Sequence, residues 1–214
     1  MSIGKVLNEV PEDLVRHVYV CNNASTDDTG KIAHAHNAIV LNEPNPGYGN
    51  ACLRGLNEIA QQKPLPDIVV FIDGDYSDYP EDMRELVRPI IDKDIDMVIG
   101  SRATGDMEKG SMTPQQVFGN WLATTLIKMI YDYKFTDLGP FRALKYSSLI
   151  AMNMEDKTYG WTVEMQVKAA KMSLKCSEIP VRYRKRIGVS KISGTVKGTI
   201  LAGHKILWTI FKLI

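Results

Sequence analysis

The sequence predicts an α/β domain built on a doubly wound, mostly parallel sheet with helices on both faces. Three observations carry this. Short apolar runs alternate with segments of helical period from Ile3 to Ile99, the order of strand, turn, helix and strand that makes parallel sheets. Val69-Val70-Phe71-Ile72 is apolar without alternation, as in a strand buried on both faces. Polar turns rich in Asn, Asp and Gly follow the strands, at the edge where open sheets bind ligands. The 214 residues suffice for one domain with a full core, and 44% apolar with 24% charged content is that of a globular protein.

The elements follow in order. Ile3, Val6, Leu7 and Val10 recur at helical spacing behind Ser2, and Pro11 stops that helix. His17 to Cys21 is a short apolar strand, and Asn22 to Thr29 a polar turn leading into a helix from about Asp27 to His36. Ala38 to Leu41 is a strand, Asn42 to Gly49 a Pro/Gly/Asn loop, and Asn50 to Gln62 a helix. Asp67 to Ile72 is the buried strand. Pro80 opens the next helix, with Glu81 and Asp82 suited to its positive end. Asp96 to Ile99 is another strand, ending in Gly100-Ser101-Arg102. Beyond it the character changes. Ala103 to Ser111 is a polar loop, and Thr113-Pro114 starts a long helix whose apolar residues are Phe118, Trp121, Leu122, Leu126 and Met129. Thr136 to Leu144 holds a compact motif, Tyr159 to Met172 is a helix, and Ser177 to Tyr183 a strand. A basic loop over Arg184 to Gly194 precedes a final helix from Thr195.

Charge is uneven along this order. The formal net charge is only +1, yet from Lys168 onward eleven Lys or Arg stand against Glu178 alone. Such a segment suits an anionic partner. Cys21, Cys52 and Cys176 show no metal spacing and read as ordinary residues of a reducing compartment. The stretch from Thr199 to Ile214 is too short and too charged to span a bilayer, which takes about 20 apolar residues. No secretory signal opens the sequence.

Asp73-Gly74-Asp75 ends the buried strand. Two carboxylates one residue apart at such an edge suit a hard divalent cation, although Asp and Gly also make ordinary turns. The turns at Asn22 to Thr29 and at Gly100-Ser101-Arg102 converge on the same crevice, adding amides, hydroxyls and a guanidinium. That mixture suits a nucleotide bound through a metal-bridged diphosphate. Gly47-Tyr48-Gly49 only begins a dinucleotide fingerprint, since Cys52 takes the third glycine position. A second constellation, Arg182, Arg184, Lys185, Arg186, Ser190 and Lys191, offers cations for phosphate; Arg182 and Arg184 also read as a solvated strand edge.

Taken in order, Asn23-Ala-Ser-Thr-Asp27, Gly47-Tyr-Gly49, Asp73-Gly-Asp75, Gly100-Ser-Arg102, Asp137-Leu-Gly-Pro-Phe-Arg142 and Arg186-Ile-Gly-Val-Ser-Lys191 resemble the inverting family 2 glycosyltransferases with a GT-A fold. Within these the likeness is to the polyprenyl- or dolichyl-phosphate sugar synthases of mannosyl- or glucosyltransferase type, and it spans nearly the whole sequence. The resemblance implies one domain: a nucleotide-sugar half over 1–102, an acceptor half with the basic loop over 103–194, and an amphipathic helix over 195–214. It implies Mg²⁺ or Mn²⁺ on Asp73 and Asp75, with Ser77 nearby. It places Asn22, Asn23, Asp27, Gly49, Asp73 and Gly74 on a nucleoside-diphosphate sugar of UDP-glucose or GDP-mannose type, with Arg186 and Lys191 on its diphosphate. Asn22 stands where the family usually has an Asp against the base. Arg102, Arg142 and Ser190 fall to the acceptor phosphate, and Val117 replaces an Arg common in relatives. The family's first strand, central between His17–Cys21 and Asp67–Ile72, is absent from this sequence, which implies a truncated or mis-started form of a longer protein.

Inverting transfer is an in-line displacement whose developing charge falls on the departing diphosphate, so Asp75 with its metal, Arg186 and Lys191 are the catalytic candidates. A lipid phosphate arrives ionised; a hydroxyl acceptor needs a base, for which Asp137 and Glu164 are the candidates. Lys197, His204, Lys205, Thr209 and Lys212 share one side of the last helix, which predicts an interfacial helix at the cytoplasmic membrane face, or else a helix packed on the core. The competing readings are a saccharide hydroxyl as acceptor, a non-catalytic binding domain, and a nucleotidyltransferase. A nucleic-acid partner is not expected.

Overall fold

A computed structural model of the chain describes residues 1–188 and 196–214, the latter without the side chains of Val196, Lys197 and Thr199. Helix α1 (Ser2–Glu9) is followed by β1 (Tyr19–Asn23), α2 (Thr29–Ala35), β2 (Ile39–Glu43), α3 (Tyr48–Ile59) and β3 (Ile68–Phe71). A single 3-10 turn (Pro80–Asp82) leads into α4 (Met83–Lys93), then β4 (Met97–Ser101). The second half runs α5 (Pro114–Tyr131), β5 (Arg142–Lys145), α6 (Tyr146–Ala151), α7 (Trp161–Lys171), β6 (Cys176–Pro180) and α8 (Val196–Lys212). The first strand extends past its apolar run because β2 does too: Asn22 pairs with Asn42 and Asn23 with Glu43, so backbone pairing carries these polar residues to the strand end.

The strands form two sheets. β1 and β2 pair in parallel, while the larger sheet has the order β3-β5-β4-β6. β4 and β6 are parallel, and β5 runs antiparallel to both β3 and β4. This strand lies in the segment that the sequence shows only as a compact motif, and its insertion makes the sheet mixed. Among the described residues no ladder joins β1 to β3.

Both faces of the larger sheet are covered. Met97 and Ile99 of β4 pack with Ile127, Trp161, Val163 and Ile210 from α5, α7 and α8. Val98, between them, packs on the opposite side with Met83, Leu86, Val87 and Ile90 of α4. Full burial of each such side chain stabilises the fold by about 1.5–3 kcal/mol. A third cluster, Ile3, Val20, Ala33 and Ala38, ties α1 and α2 to β1.

Two helices turn differently from their sequence pattern. Thr113 caps α5 through a capping box with Gln116. The helix buries Ala123, Thr124 and Ile127 and leaves Phe118, Trp121 and Met129 exposed. In α8, Lys205 and Thr209 of the predicted polar side point inward. Thr209 is buried, and Lys205 pairs at 2.8 Å with the nearly buried Asp156. A carboxylate without water needs a partner, and meeting it sets the rotation of α8. Ile200, Leu201, Trp208, Phe211 and Ile214 are left outside. Among the described residues no helix is long and apolar enough to cross a membrane.

Candidate active site

The loop leaving β3 carries Asp73, Gly74 and Asp75 to the sheet edge. Asp75 is held on both carboxylate oxygens: Oδ1 accepts from the Ser77 amide at 2.9 Å and the Ser77 hydroxyl at 2.5 Å, while Oδ2 pairs with Arg186 at 2.6 Å. Loss of surrounding water, then the Asp75 charge beside it, push Asp73 up to about 6. Asp73, Asp75 and Ser77 supply only hard oxygen donors beside an excess of negative charge, a set that fits Mg²⁺ or Mn²⁺. Among the described residues no three acidic, His or Cys side chains converge as a complete metal cage. Two carboxylates with room for ligand phosphate are the usual holding of Mg²⁺.

The basic segment is stitched to this loop along its backbone. Ile187 donates to the Asp75 carbonyl at 2.9 Å and Arg184 to that of Ser77 at 2.9 Å. The Arg184 guanidinium lies 3.3 Å from the centre of the Tyr76 ring and 4.0 Å from that of Tyr79, and pairs with Glu9 at 2.7 Å. Tyr76 also donates to Glu9 and takes a left-handed backbone, φ +68°. Stacking and pairing together position the segment that presents Arg186. Arg184 thus belongs to the site's frame and is not a solvated edge. Arg182 pairs with Glu81 and Asp82 at the surface.

Arg102, at the end of β4, makes a two-pronged pair with Asp137: Nε reaches Oδ2 at 2.8 Å and Nη2 reaches Oδ1 at 2.7 Å, while the Arg102 amide also donates to Oδ2 at 2.7 Å. Asp137 is buried and its oxygens are engaged, so it does not stand as a free base. Arg102 also lies over the Tyr183 ring at 5.1 Å, which joins this pair to the basic segment. Arg142 departs from its expected place on the acceptor. It is fully buried and donates to the carbonyls of Gly139, Leu138 and Thr162. Burial pushes its guanidinium down to about 10. Its geometry is that of a brace for the turn before β5.

The remaining candidates lie in two further groups. Asn22 donates to Asn42 at 3.2 Å, and its own buried carbonyl oxygen has no partner. Asn23 donates to the carbonyls of Glu43 and Asn45 and accepts from the Gly47 amide at 2.8 Å, clamping the loop before α3. A side-chain amide, with two N–H donors and a carbonyl acceptor, supplies all three bonds. Asp27 accepts from the Thr29 amide at the start of α2. Gly49 packs so tightly on residues 156–157 that an added Cβ would lie 1.9 Å from the Asp156 carbonyl. Glu164 is buried, accepts from the amides of Glu155 and Asp156, and pairs with Lys168 at 2.7 Å. These bonds hold a loop, so Glu164 does not stand as the base that a hydroxyl acceptor would need. Ser190 and Lys191 lie outside the described residues.

Asp78 is the residue that the sequence analysis passed over. It is buried, with neither carboxylate oxygen hydrogen-bonded in the geometry, and burial and then the Asp73 charge push it well above the usual carboxylate range. The signal was present as a third Asp three residues beyond Asp75.

The sequence pattern of glycosyl transferase family 2 matches residues 2–152. An uncharacterized glycosyltransferase of Mycobacterium tuberculosis is 32% identical over 203 residues, 94% of this chain and 88% of its own. The undecaprenyl-phosphate mannosyltransferase of Micrococcus luteus is 26% identical over 209 residues, 92% of this chain and 83% of its own. Among solved structures, glucosyl-3-phosphoglycerate synthase from Mycobacterium tuberculosis, in complex with Mn²⁺, uridine diphosphate and phosphoglyceric acid, superposes with a TM-score of 0.76 at 20% identity, covering 99% of this chain and 73% of that one. The GT-A fold is shared.

Proposed function

The chain belongs to glycosyl transferase family 2, and we propose that it transfers a hexose, with inversion, from a nucleoside-diphosphate sugar to a polyprenyl or dolichyl phosphate at the cytoplasmic membrane face. The observation that carries the choice of acceptor is the engagement of Asp137 and Glu164. The first is locked by Arg102 and the second by two amides and Lys168. A hydroxyl acceptor needs a free base to take its proton. A phosphate monoester, with a second pKa near ~6, arrives already ionised. One of its oxygens attacks the anomeric carbon, the bond from that carbon to the diphosphate breaks, and a nucleoside diphosphate departs with the electron pair. The lipid-phosphate acceptor named for the Micrococcus luteus relative supports the same reading.

Asp73 and Asp75, with Ser77, would hold Mg²⁺ or Mn²⁺, which when bound offsets charge on the leaving diphosphate. The Mn²⁺ and uridine diphosphate named for the solved relative support this assignment. Arg186 has two partners in turn: Asp75 in the free protein and the donor diphosphate in the loaded one. By the family resemblance Lys191 falls to that diphosphate and Ser190 to the acceptor phosphate; both lie outside the described residues. Arg102, fixed by Asp137, faces the acceptor phosphate, and α8 rests on the membrane surface.

The test is transfer from radiolabelled UDP-glucose or GDP-mannose, with Mg²⁺ or Mn²⁺, into a butanol-extractable, mild-acid-labile lipid. Asp75→Ala should lower that transfer by at least about hundredfold while circular dichroism stays native. Label that appears only in a water-soluble saccharide would overturn the acceptor, and full activity of Asp75→Ala would overturn the metal assignment.

A further inference from the structure

Helices α5 and α8 lie against each other. The Tyr131 hydroxyl donates to the Ile210 carbonyl at 2.7 Å, and Ile127 and Ile210 share one core. Their outward faces reverse the usual pattern of a surface helix. On α5, Phe118 and Trp121 are each 59% exposed and Met129 76%; Met112, Pro114 and Val117 continue the patch as a shallow apolar groove. On α8, Trp208 is 56% exposed, with Leu201, Phe211 and Ile214 also outside. Neither helix contains an acidic residue, and among the described side chains the exposed basic groups are Lys128, His204 and Lys212.

We propose that these two faces together dock on an anionic lipid bilayer, α5 as fully as α8, with Trp121 and Trp208 at the level of the headgroups. Apolar side chains enter the acyl boundary while the lysines meet lipid phosphates, the division of labour of an interfacial helix. A second copy of the chain suits the surface less. A two-fold contact sets a patch against itself, and neither helix supplies a carboxylate to meet Lys128 and Lys212, the exposed Asp132 lying beyond the end of α5. The inference builds on the membrane-borne acceptor proposed above and gives it a route. Asn120 of α5 donates to the Thr136 carbonyl at 3.0 Å and accepts from the Leu138 amide at 2.8 Å, so the docking helix carries the loop of Asp137, partner of Arg102.

The experiment is co-sedimentation of the full chain with sucrose-loaded vesicles, without donor or acceptor. It compares phosphatidylcholine alone with phosphatidylcholine containing phosphatidylglycerol. Two double variants are used, Phe118→Glu with Trp121→Glu and Trp208→Glu with Phe211→Glu, with light scattering for oligomeric state. The wild type should bind the anionic vesicles, and each double variant should bind at least about tenfold more weakly. Phe118→Leu with Trp121→Phe should keep binding, which separates lost apolar contact from lost folding. No binding by the wild type, or undiminished binding by the α5 variant, overturns the proposal. A wild-type dimer that the α5 variant dissociates overturns it too, in favour of a second copy. Transfer to a short-chain, water-soluble acceptor phosphate, measured alongside, should be equal in wild type and α5 variant. Its failure in both would count against the acceptor and leave the docking result standing.

Discussion

Three arginines near this site share a charge and differ in what they can do. Arg142 has its donors on carbonyls inside the fold, Arg102 is fixed on Asp137, and only Arg186 holds its carboxylate at a partly open surface, 2.6 Å from Asp75. On the proposed assignment of Asp75 to the metal, the Arg186 guanidinium competes with that metal and helps the diphosphate. Arg186→Ala should therefore act in opposite directions on the two ligands. Mn²⁺ alone, followed by the loss of free-ion paramagnetic signal, should bind about threefold tighter or more. Uridine diphosphate with Mn²⁺, followed by calorimetry, should bind about tenfold more weakly. Weaker binding of both would mean that Arg186 only shapes the loop.

At the scale of elements, a nearly buried carboxylate helps to seat α8. Asp156 Oδ1 accepts from the amides of Thr158 and Gly160, and its other oxygen pairs with Lys205. Burial pushes Asp156 up, but Lys205 and the Thr158 amide outweigh it and hold the carboxyl below its ordinary 3.8. A lowered folded value stabilises the docked helix at every pH above 3.8 and ceases to do so as pH falls through that lowered value. Amide exchange in α8 should thus stay slow down to about pH 4 and quicken below it. Asp156→Asn should exchange faster at neutral pH and lose this acid step. An unchanged step in that variant would assign it to other carboxylates.

For the whole molecule, the two sheets differ in how deeply they are set. β4 lies between β5 and β6, with Met97, Val98 and Ile99 wholly buried, whereas among the described residues β1 pairs with β2 alone. Amides of residues 97–99 should exchange only through global unfolding, and those of Tyr19 to Cys21 at least about tenfold faster. Equal protection would mean that the sheets open as one unit.

Several features were legible in the residues alone. Helical and strand periods marked the alternating first half, and Asp73-Gly74-Asp75 stood at a strand end because an apolar run gives way there to polar residues, although β3 is antiparallel to its neighbour β5. Such signals are local, set by neighbours within a few positions. β5 was not legible, because its ladder comes from β3 and β4, distant in sequence. Arg184 looked like a solvated edge because its partners Glu9, Tyr76 and Tyr79 lie far earlier in the chain. Phe118 and Trp121 showed only as apolar positions of a helix, since an apolar side chain carries no mark of the face it will occupy. The sequence by itself determined the family, the carboxylate pair and the stock of cations. Only the tertiary structure decided which cations remain open to a ligand, which carboxylates are already engaged and which apolar faces stay outside. Those outcomes depend on partners that only the folded chain brings within hydrogen-bond and packing distance.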